Sequence, residues 1–171
     1  ALALFRTEIA VLDPTGGSVP LTIVDPAVGT GVFPAAVLEL MQAGDARTSR
    51  LSIVGHDVDA DAIERAERTL SGTAGTLGVP LSLTKESALE RAPHVAGAPV
   101  VLGNPPWAGR SASRGADASE ALLEDFRRDE RGAPLSERKI GVLSDDYVRF
   151  VRWSVEVVRR SPHGGVHGLV T

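Results

Sequence analysis

Asn104, Pro105, Pro106 and Trp107 are consecutive residues whose types could do chemistry on a planar amine. The Asn104 side chain and the Pro105 carbonyl are hydrogen-bond acceptors, and the two prolines stiffen the backbone that carries them. Trp107 offers a flat aromatic face on which a planar ring can stack. Together they could hold an exocyclic amino group, such as that of a nucleobase, while a group is transferred to it. The alternative is a proline-stiffened turn in which Trp107 is only a core anchor.

A second set of candidate residues surrounds a glycine turn near the start of the chain. The segment Asp25-Pro26-Ala27-Val28-Gly29-Thr30-Gly31-Val32-Phe33 directly follows an apolar run and opens a helical pattern. Glycines let the backbone approach a ligand closely, and a helix N-terminus offers unpaired N–H groups. Asp57 follows the next predicted strand, where it can accept hydrogen bonds from ribose hydroxyls. The sequence therefore predicts a nucleoside-containing cofactor in this crevice.

The charge of this turn favours a cationic cofactor over a dinucleotide. Asp25 would repel a pyrophosphate group and attract a cation. Pro34 stands where a dinucleotide fingerprint has its third glycine. S-adenosylmethionine carries an α-ammonium and a sulfonium, so it fits these residues better than NAD.

Short β-rich runs alternate with helical patterns along the chain, which is typical of βαβ units and a parallel sheet. We predict strands at 21–24, 51–55, 79–84, 99–102 and 166–171. We predict helices at 32–42, 59–70, 118–130 and 147–160, a loop at 72–78 and a mobile loop at 110–119. The candidate residues of both segments then lie at the ends of strands.

The composition is that of a soluble, globular chain. It has 171 residues, 43% of them hydrophobic, which is enough for one domain with a full core. No apolar stretch approaches the roughly 18 residues of a membrane span. The absence of cysteine excludes disulfides and thiolate zinc sites, and the four histidines form no ligand cluster. We therefore expect a cytoplasmic protein with no metal and no membrane partner.

Three segments resemble, in order and spacing, the motifs of adenine-N6 DNA methyltransferases. The segment 25–33 resembles their motif I, Gly55-His56-Asp57-Val58-Asp59 resembles motif II, and Gly103-Asn104-Pro105-Pro106-Trp107 resembles motif IV. Residues 122–152 further resemble the methyltransferase domain of single-polypeptide type I-like (type ISP) restriction–modification enzymes. The resemblance covers residues 20–171.

The resemblance implies an α/β fold, the Rossmann-like class I S-adenosylmethionine-dependent methyltransferase, with a mostly parallel central sheet flanked by helices. Residues 1–171 would be one partial catalytic domain, truncated at both ends. It also implies S-adenosyl-L-methionine as cofactor and double-stranded DNA, with adenine as its target, as partner. A recognition domain, with or without nuclease and helicase domains, would complete the parent protein of a restriction–modification or phage-defence system.

Individual residues take roles from the same resemblance. Asn104 and Pro105 would accept the two N6 hydrogens of a flipped-out adenine, Pro106 would keep the segment rigid, and Trp107 would stack on the ring. The residues that would hold the cofactor are Asp25, Pro26, Ala27, Gly29, Thr30, Gly31, Phe33, Asp57, Val58, Ser87 and Phe150. Ser87 stands where the family usually has Asp or Asn. Phe150 either lines the adenine pocket or packs in the core.

Two other functions stay open at this point. RNA guanine-N2 and protein glutamine methyltransferases also use Asn-Pro-Pro followed by an aromatic residue, although neither resembles residues 122–152. The chain could instead be an inert fragment that binds cofactor weakly or not at all. The family's N-terminal motif is not recognisable in residues 1–20, and no target-recognition region follows the last motif.

Overall fold

In the part of the chain that the structure describes, five parallel strands form a sheet at the centre of the fold, in the order β3-β2-β1-β4-β5. The computed structural model describes residues 19–44, 50–90, 95–106, 121, 123–136 and 145–170. The strands are β1 (Leu21–Asp25), β2 (Leu51–Asp57), β3 (Leu81–Lys85), β4 (Ala98–Gly103) and β5 (Val166–Leu169). The chain builds outward from β1 through β2 to β3, then returns to place β4 on the other side of β1. Parallel α/β sheets bind ligands at such a reversal, beyond the carboxyl ends of the strands.

Three α-helices flank the sheet in the described part of the chain: α1 (Val32–Gln42), α2 (Ala60–Leu77) and α3 (Asp146–Arg160). Two 3-10 turns cover Ala88–Glu90 and Glu124–Arg127. None of these helices has the length and apolarity needed to span a bilayer. The predicted α/β fold with a parallel sheet is confirmed.

The central strands are buried because helices cover both of their faces. All five residues of β1 are buried, as expected for a parallel strand between two helical layers. Ile23 and Val100 pack in one core cluster with residues of α1 and α2. Their neighbours Val24 and Val101 point to the opposite face and pack in a second cluster with Phe150, Trp153 and Val157 of α3. The alternation of side chains along β1 and β4 thus fixes which helices lie on each face.

The register of β4 carries it past the end of its pairing with β1. The pairing runs from Leu21 opposite Ala98 to Val24 opposite Val101. β4 continues to Gly103, whose carbonyl accepts a hydrogen bond from the Val170 N–H at 2.9 Å. The residues that follow Gly103 therefore start at the carboxyl edge of the sheet, beside the end of β1.

The loop predicted at 72–78 is wrong, because α2 continues to Leu77. Gly72 and Gly75 lower helix propensity, but Ala74 is 2% exposed and packs in the core, which outweighs that cost. The hydroxyls of Ser71 and Thr76 also donate to carbonyls one turn back. The helix ends at Gly78, whose φ of 66° is a left-handed value that glycine adopts easily.

The helix predicted at 118–130 is also wrong from Glu124 onward, because Glu124–Arg127 form a 3-10 turn and the following residues are not helical. Residues 118–120 and 122 of that prediction lie outside the described residues. Arg128 pairs with Pro134 in an antiparallel bridge. Asp129 Oδ1 accepts the N–H groups of Arg131 at 2.9 Å and Ala133 at 2.8 Å, which closes a tight turn. A charged pattern suits such a turn as well as a helix, because an Asp side chain can bond the backbone two residues on. The predicted mobile loop at 110–119 lies outside the described residues.

Glu156 of α3 is a buried carboxylate surrounded by arginines of the same helix. Its side chain is 2% exposed and accepts hydrogen bonds from Arg159 at 2.6 and 2.7 Å and from Arg160 at 2.7 Å. Arg152, itself 10% exposed, lies 3.4 Å away. The hydrogen bonds from Arg159 lower the pKa of Glu156 to about 2; Arg160 adds to the shift and burial opposes it.

Replacing Glu156 with alanine should lower the free energy of unfolding by roughly 3 kcal/mol, because a buried arginine would lose its counter-charge. This is the lower end for a broken buried pair, since Arg159 and Arg160 keep 67% and 44% of their surface exposed. The pKa is depressed, so the stabilisation is present above pH 4.5 and is lost as the pH falls from there towards about 2. Urea unfolding of both chains at pH 7 and near pH 3 measures both effects.

Glu64 provides the matched control, because it pairs with Arg68 on the same helical spacing but with 66% of its side chain exposed. Glu64→Ala should cost less than about 0.5 kcal/mol. Equal losses for the two variants would contradict the role assigned to the buried carboxylate.

Candidate active site

The carboxyl ends of β1, β2 and β4 bring the predicted site residues together. Asp25 is the last residue of β1, Asp57 is the last of β2, and Asn104 follows the last residue of β4. The Gly29 N–H donates to Asp57 Oδ2 at 2.9 Å, which joins the end of β2 to the turn after β1. Gly103 lies beside Asp25 and Pro26 at the start of the same turn. Asp57 and Gly103, which are 46 residues apart in the chain, therefore both border the turn after β1.

The shape of the turn after β1 depends on backbone conformations that glycine adopts easily. Gly29 and Gly31 have φ values of 52° and 84°, in the left-handed region that favours glycine. A Cβ on Gly31 would also lie 3.1 Å from Leu70 Cδ1. The Val28 N–H donates to the His56 carbonyl at 2.8 Å, so β2 supports the turn from below.

The N-terminus of α1 supplies backbone donors to the same crevice. Its N-cap residue, Gly31, makes no side-chain capping hydrogen bond, and its first turn contains no acidic residue. The Gly31 N–H already bonds the Val28 carbonyl at 2.8 Å, and Pro34 has no N–H. The donors that the helix start offers to a ligand are therefore those of Val32 and Phe33. Thr30 and Val32 are exposed, and Phe33 is half-buried.

Asp57 organises the end of β2. Its Oδ2 accepts the Gly29 N–H at 2.9 Å, and its Oδ1 accepts the Asp59 N–H at 3.0 Å. A carboxylate has further lone pairs, so these bonds leave capacity for ribose hydroxyls. Val58, the next residue, keeps 69% of its surface exposed and so offers an apolar side chain to a ligand.

Asp25 is a buried carboxyl with an unfilled hydrogen-bonding position. It is 0% exposed, and its Oδ1 accepts the Ala27 N–H at 3.1 Å. Its Oδ2 has no hydrogen-bond partner within the part of the chain that the structure describes. Burial raises the pKa of Asp25 to about 7; the Ala27 bond opposes the shift and the charge of Asp57 adds to it. A ligand cation would be a fitting partner for Oδ2, and it reaches that oxygen only if the surrounding groups move apart.

The Asn104-Pro105-Pro106 segment lies at the mouth of β4. Asn104 and Pro106 are exposed and Pro105 is buried, so the segment is anchored at its middle residue. The buried Pro105 therefore holds the backbone that carries the Asn104 amide and the adjacent carbonyls at the carboxyl edge of the sheet. Trp107, the predicted stacking residue, lies outside the described residues.

The remaining predicted residues occupy less central positions. Pro26 is buried and Ala27 half-buried in the turn after β1. Ser87 follows β3, and its hydroxyl accepts the Leu89 N–H at 3.3 Å, which caps the 3-10 turn. Phe150 is 6% exposed and packs in the second core cluster, where it supports β1 and β4 from beneath.

His56 is a site-forming residue that the sequence analysis missed. It is 6% exposed, and its ring meets the Trp153 ring edge-on with centroids 6.4 Å apart. Through its carbonyl it holds the Val28 N–H of the glycine turn. A histidine next to Asp57, at the end of a strand rich in apolar residues, was the available signal. Among the described residues, no group of three or more His, Cys, Asp or Glu is placed to hold a metal ion.

The strand reversal at β1, the glycine turn and the acid at the end of β2 are features of a Rossmann-like fold. Solved methyltransferase structures share this fold with the chain. No protein-family model and no curated protein sequence matches the chain. The fold is similar to that of a candidate class I S-adenosylmethionine-dependent methyltransferase from Listeria monocytogenes, with a TM-score of 0.56 and 18% identity over 98% of this chain and 43% of that protein.

A second similar structure is the methyltransferase subunit of a type I restriction–modification system from Streptococcus thermophilus. Its TM-score is 0.53, with 17% identity over 96% of this chain and 32% of the subunit. The chain thus spans less than half the length of either protein, and the similarity is one of fold.

Proposed function

We propose that this chain is the catalytic core of an S-adenosylmethionine-dependent methyltransferase that modifies the N6 amino group of adenine in DNA. One observation carries the proposal. The Asn104-Pro105-Pro106 segment stands at the end of β4, beside the buried carboxyl of Asp25 and the glycine turn that Asp57 holds. Amine acceptors and a crevice suited to a cationic nucleoside therefore share one edge of the sheet.

The residues of the crevice fit S-adenosylmethionine, which supplies a methyl group on a cationic sulfur when bound. The free Oδ2 position of Asp25 suits a ligand ammonium. The helix-start N–H groups of Val32 and Phe33 suit a carboxylate. Asp57 suits ribose hydroxyls, and the exposed Val58 side chain suits an apolar ring face. Each chemical part of the cofactor has a complementary group.

The amine-binding residues act by position rather than as a strong base. The Asn104 side-chain oxygen and the Pro105 carbonyl accept the two hydrogens of the adenine N6 group. These bonds draw the nitrogen lone pair out of conjugation with the ring and aim it towards the cofactor crevice. A base inside a duplex must first be flipped out, at a cost of roughly a few kcal/mol. Stacking on Trp107 would return roughly 1–3 kcal/mol of that cost.

The proposal also assigns the chain to an enzyme of a restriction–modification or phage-defence system. It is supported by the resemblance of residues 122–152 to type ISP enzymes and by the order of the three motifs. In such an enzyme the sequence-recognition domain, and any nuclease and helicase domains, would lie in the remainder of the parent protein, and the enzyme would act in the cytoplasm.

Methyl transfer from labelled S-adenosylmethionine to duplex DNA, structured RNA and a glutamine-containing peptide tests the proposal. We expect label in DNA only, recovered as N6-methyladenine by mass spectrometry of the nucleosides. Label in RNA or peptide would make the chain an RNA guanine-N2 or protein glutamine methyltransferase instead. Calorimetric titration with S-adenosylmethionine tests the cofactor separately, and a folded chain that gives no heat would be an inert fragment.

A further inference from the structure

Gly103, the last residue of β4, lies between the two halves of the proposed site. A Cβ at this position would lie 2.7 Å from Asp25 Oδ1 and 3.1 Å from Pro26 Cδ. The first distance is shorter than side-chain carbons tolerate. The Asp25 carboxyl has no exposed side to which it could retreat, and Oδ1 is held by the Ala27 N–H.

The backbone conformation of Gly103 does not by itself require glycine. Its φ lies outside the left-handed region, unlike those of Gly29 and Gly31. Its carbonyl is bonded to the Val170 N–H at 2.9 Å in regular continuation of the β4–β5 pairing. The requirement for a residue without a side chain therefore comes from the surrounding atoms, foremost the Asp25 carboxyl and then Pro26 Cδ.

We propose that Gly103 is a positioning residue that couples the cofactor half of the site to its amine-binding half. The inference rests on the proposed function. The Asp25 carboxyl lies against Gly103, with Oδ1 2.7 Å from the position that a Cβ on Gly103 would take, and Asn104 is the next residue. When a cation reaches Oδ2, the displacement of the carboxyl is passed through this contact to the Asn104 amide. A side chain at position 103 would push Asp25 off the Ala27 N–H and displace Asn104 at the same time.

Gly103→Ala in the full chain tests the coupling, with S-adenosylmethionine titration and single-turnover methyl transfer at saturating cofactor as readouts. We expect cofactor binding to weaken at least about tenfold and the transfer step to slow at least about tenfold as well. If Gly103 had only a structural role, its replacement would not change both the cofactor affinity and the rate of methyl transfer in a chain that remains folded. A variant that binds and transfers like the original chain would overturn the proposal.

Gly168, which lies in β5, and Gly165, which directly precedes β5, serve as controls. A Cβ on Gly168 would make an ordinary contact, 3.7 Å from Leu102 Cδ2, so Gly168→Ala should leave binding and transfer within about twofold. A Cβ on Gly165 would lie 2.6 Å from the Pro99 carbonyl oxygen, so Gly165→Ala is crowded without touching Asp25. If Gly165→Ala impaired binding and transfer as Gly103→Ala does, general destabilisation would explain both and the proposal would be wrong.

A double-mutant cycle keeps the test decisive if Gly103→Ala folds poorly. Asp25→Ala removes the carboxyl that the added methyl group would meet, so the stability loss from Gly103→Ala should shrink sharply in that background. An unchanged loss, measured by urea unfolding, would show that Asp25 is not the reason for glycine and would overturn the proposal. This cycle needs no cofactor, whereas failure of the unmodified chain to bind S-adenosylmethionine would contradict the proposed function instead.

Discussion

Replacing Asn104 with alanine should abolish methyl transfer to adenine while leaving S-adenosylmethionine binding nearly intact. The substitution removes the side-chain acceptor that holds one N6 hydrogen, so the lone pair is no longer directed towards the cofactor. Loss of one such preorganised group typically slows the chemical step about 10²–10³-fold. The residues proposed to hold the cofactor lie on the turn after β1 and at the end of β2, and the substitution leaves the hydrogen bonds that join them in place. Single-turnover transfer and calorimetry, on the same preparation, measure the two quantities.

Gln42 offers the matched control for Asn104. It is an exposed amide at the C-terminal end of α1, which faces away from the carboxyl edge of the sheet. Gln42→Ala should change neither binding nor transfer. An Asn104→Ala variant that methylates adenine at the original rate, in the intact parent protein, would refute the role given to this residue.

The affinity for S-adenosylmethionine should fall as the pH is lowered below about 7, the pKa to which burial raises Asp25. Below that pH the Asp25 carboxyl carries a proton when no ligand is bound, and a ligand cation favours its ionised form. Binding must then release the proton, so the dissociation constant should rise by up to about tenfold for each pH unit. Calorimetry at pH 6 in buffers of different ionisation enthalpy counts the released proton directly.

Asp25→Asn should remove this pH dependence, weaken cofactor binding, and stabilise the chain against urea at pH 8. The folded-state pKa of Asp25 is raised from 3.8 to about 7. The native state therefore binds more protons than the unfolded chain between these values, and stability falls as the pH rises through that window. The full penalty above pH 7 is roughly 4 kcal/mol. An uncharged Asn avoids the cost of burying a charge.

Asp61, exposed in the first turn of α2, is the control for Asp25. Asp61→Asn should leave the pH profile of cofactor binding unchanged. If Asp25→Asn kept the original profile and affinity, the carboxyl would not be the group that meets the cation.

The sequence was sufficient to predict the strand–turn–helix unit around Asp25 because every local signal in it agrees. An apolar run, glycines at left-handed positions and an uninterrupted helical pattern all indicate the same structure, and α1 occupies the predicted 32–42. The extension of α2 to Leu77 could not be predicted in this way. It depends on the burial of Ala74 against the core, which local glycine content argues against.

The candidate site likewise has features that follow from local sequence and features that depend on tertiary packing. Asp25, Asp57 and Asn104 were identifiable because their types and their positions after apolar runs are local properties. The free Oδ2 of Asp25, the crowding at Gly103 and the His56–Trp153 contact were not. Each of these depends on burial or contacts contributed by separate strands or by α3, so it exists only once the sheet and helices have packed.

The two hydrogen bonds that β2 makes to the glycine turn have a consequence for the thermodynamics of ligand capture. Through the His56 carbonyl and the Asp57 side chain, β2 fixes Val28 and Gly29 without any help from a ligand. Immobilising one residue costs roughly 1–2 kcal/mol of conformational entropy, and here that loss occurs during folding. A ligand that enters meets a preorganised surface and retains more of its contact energy as affinity.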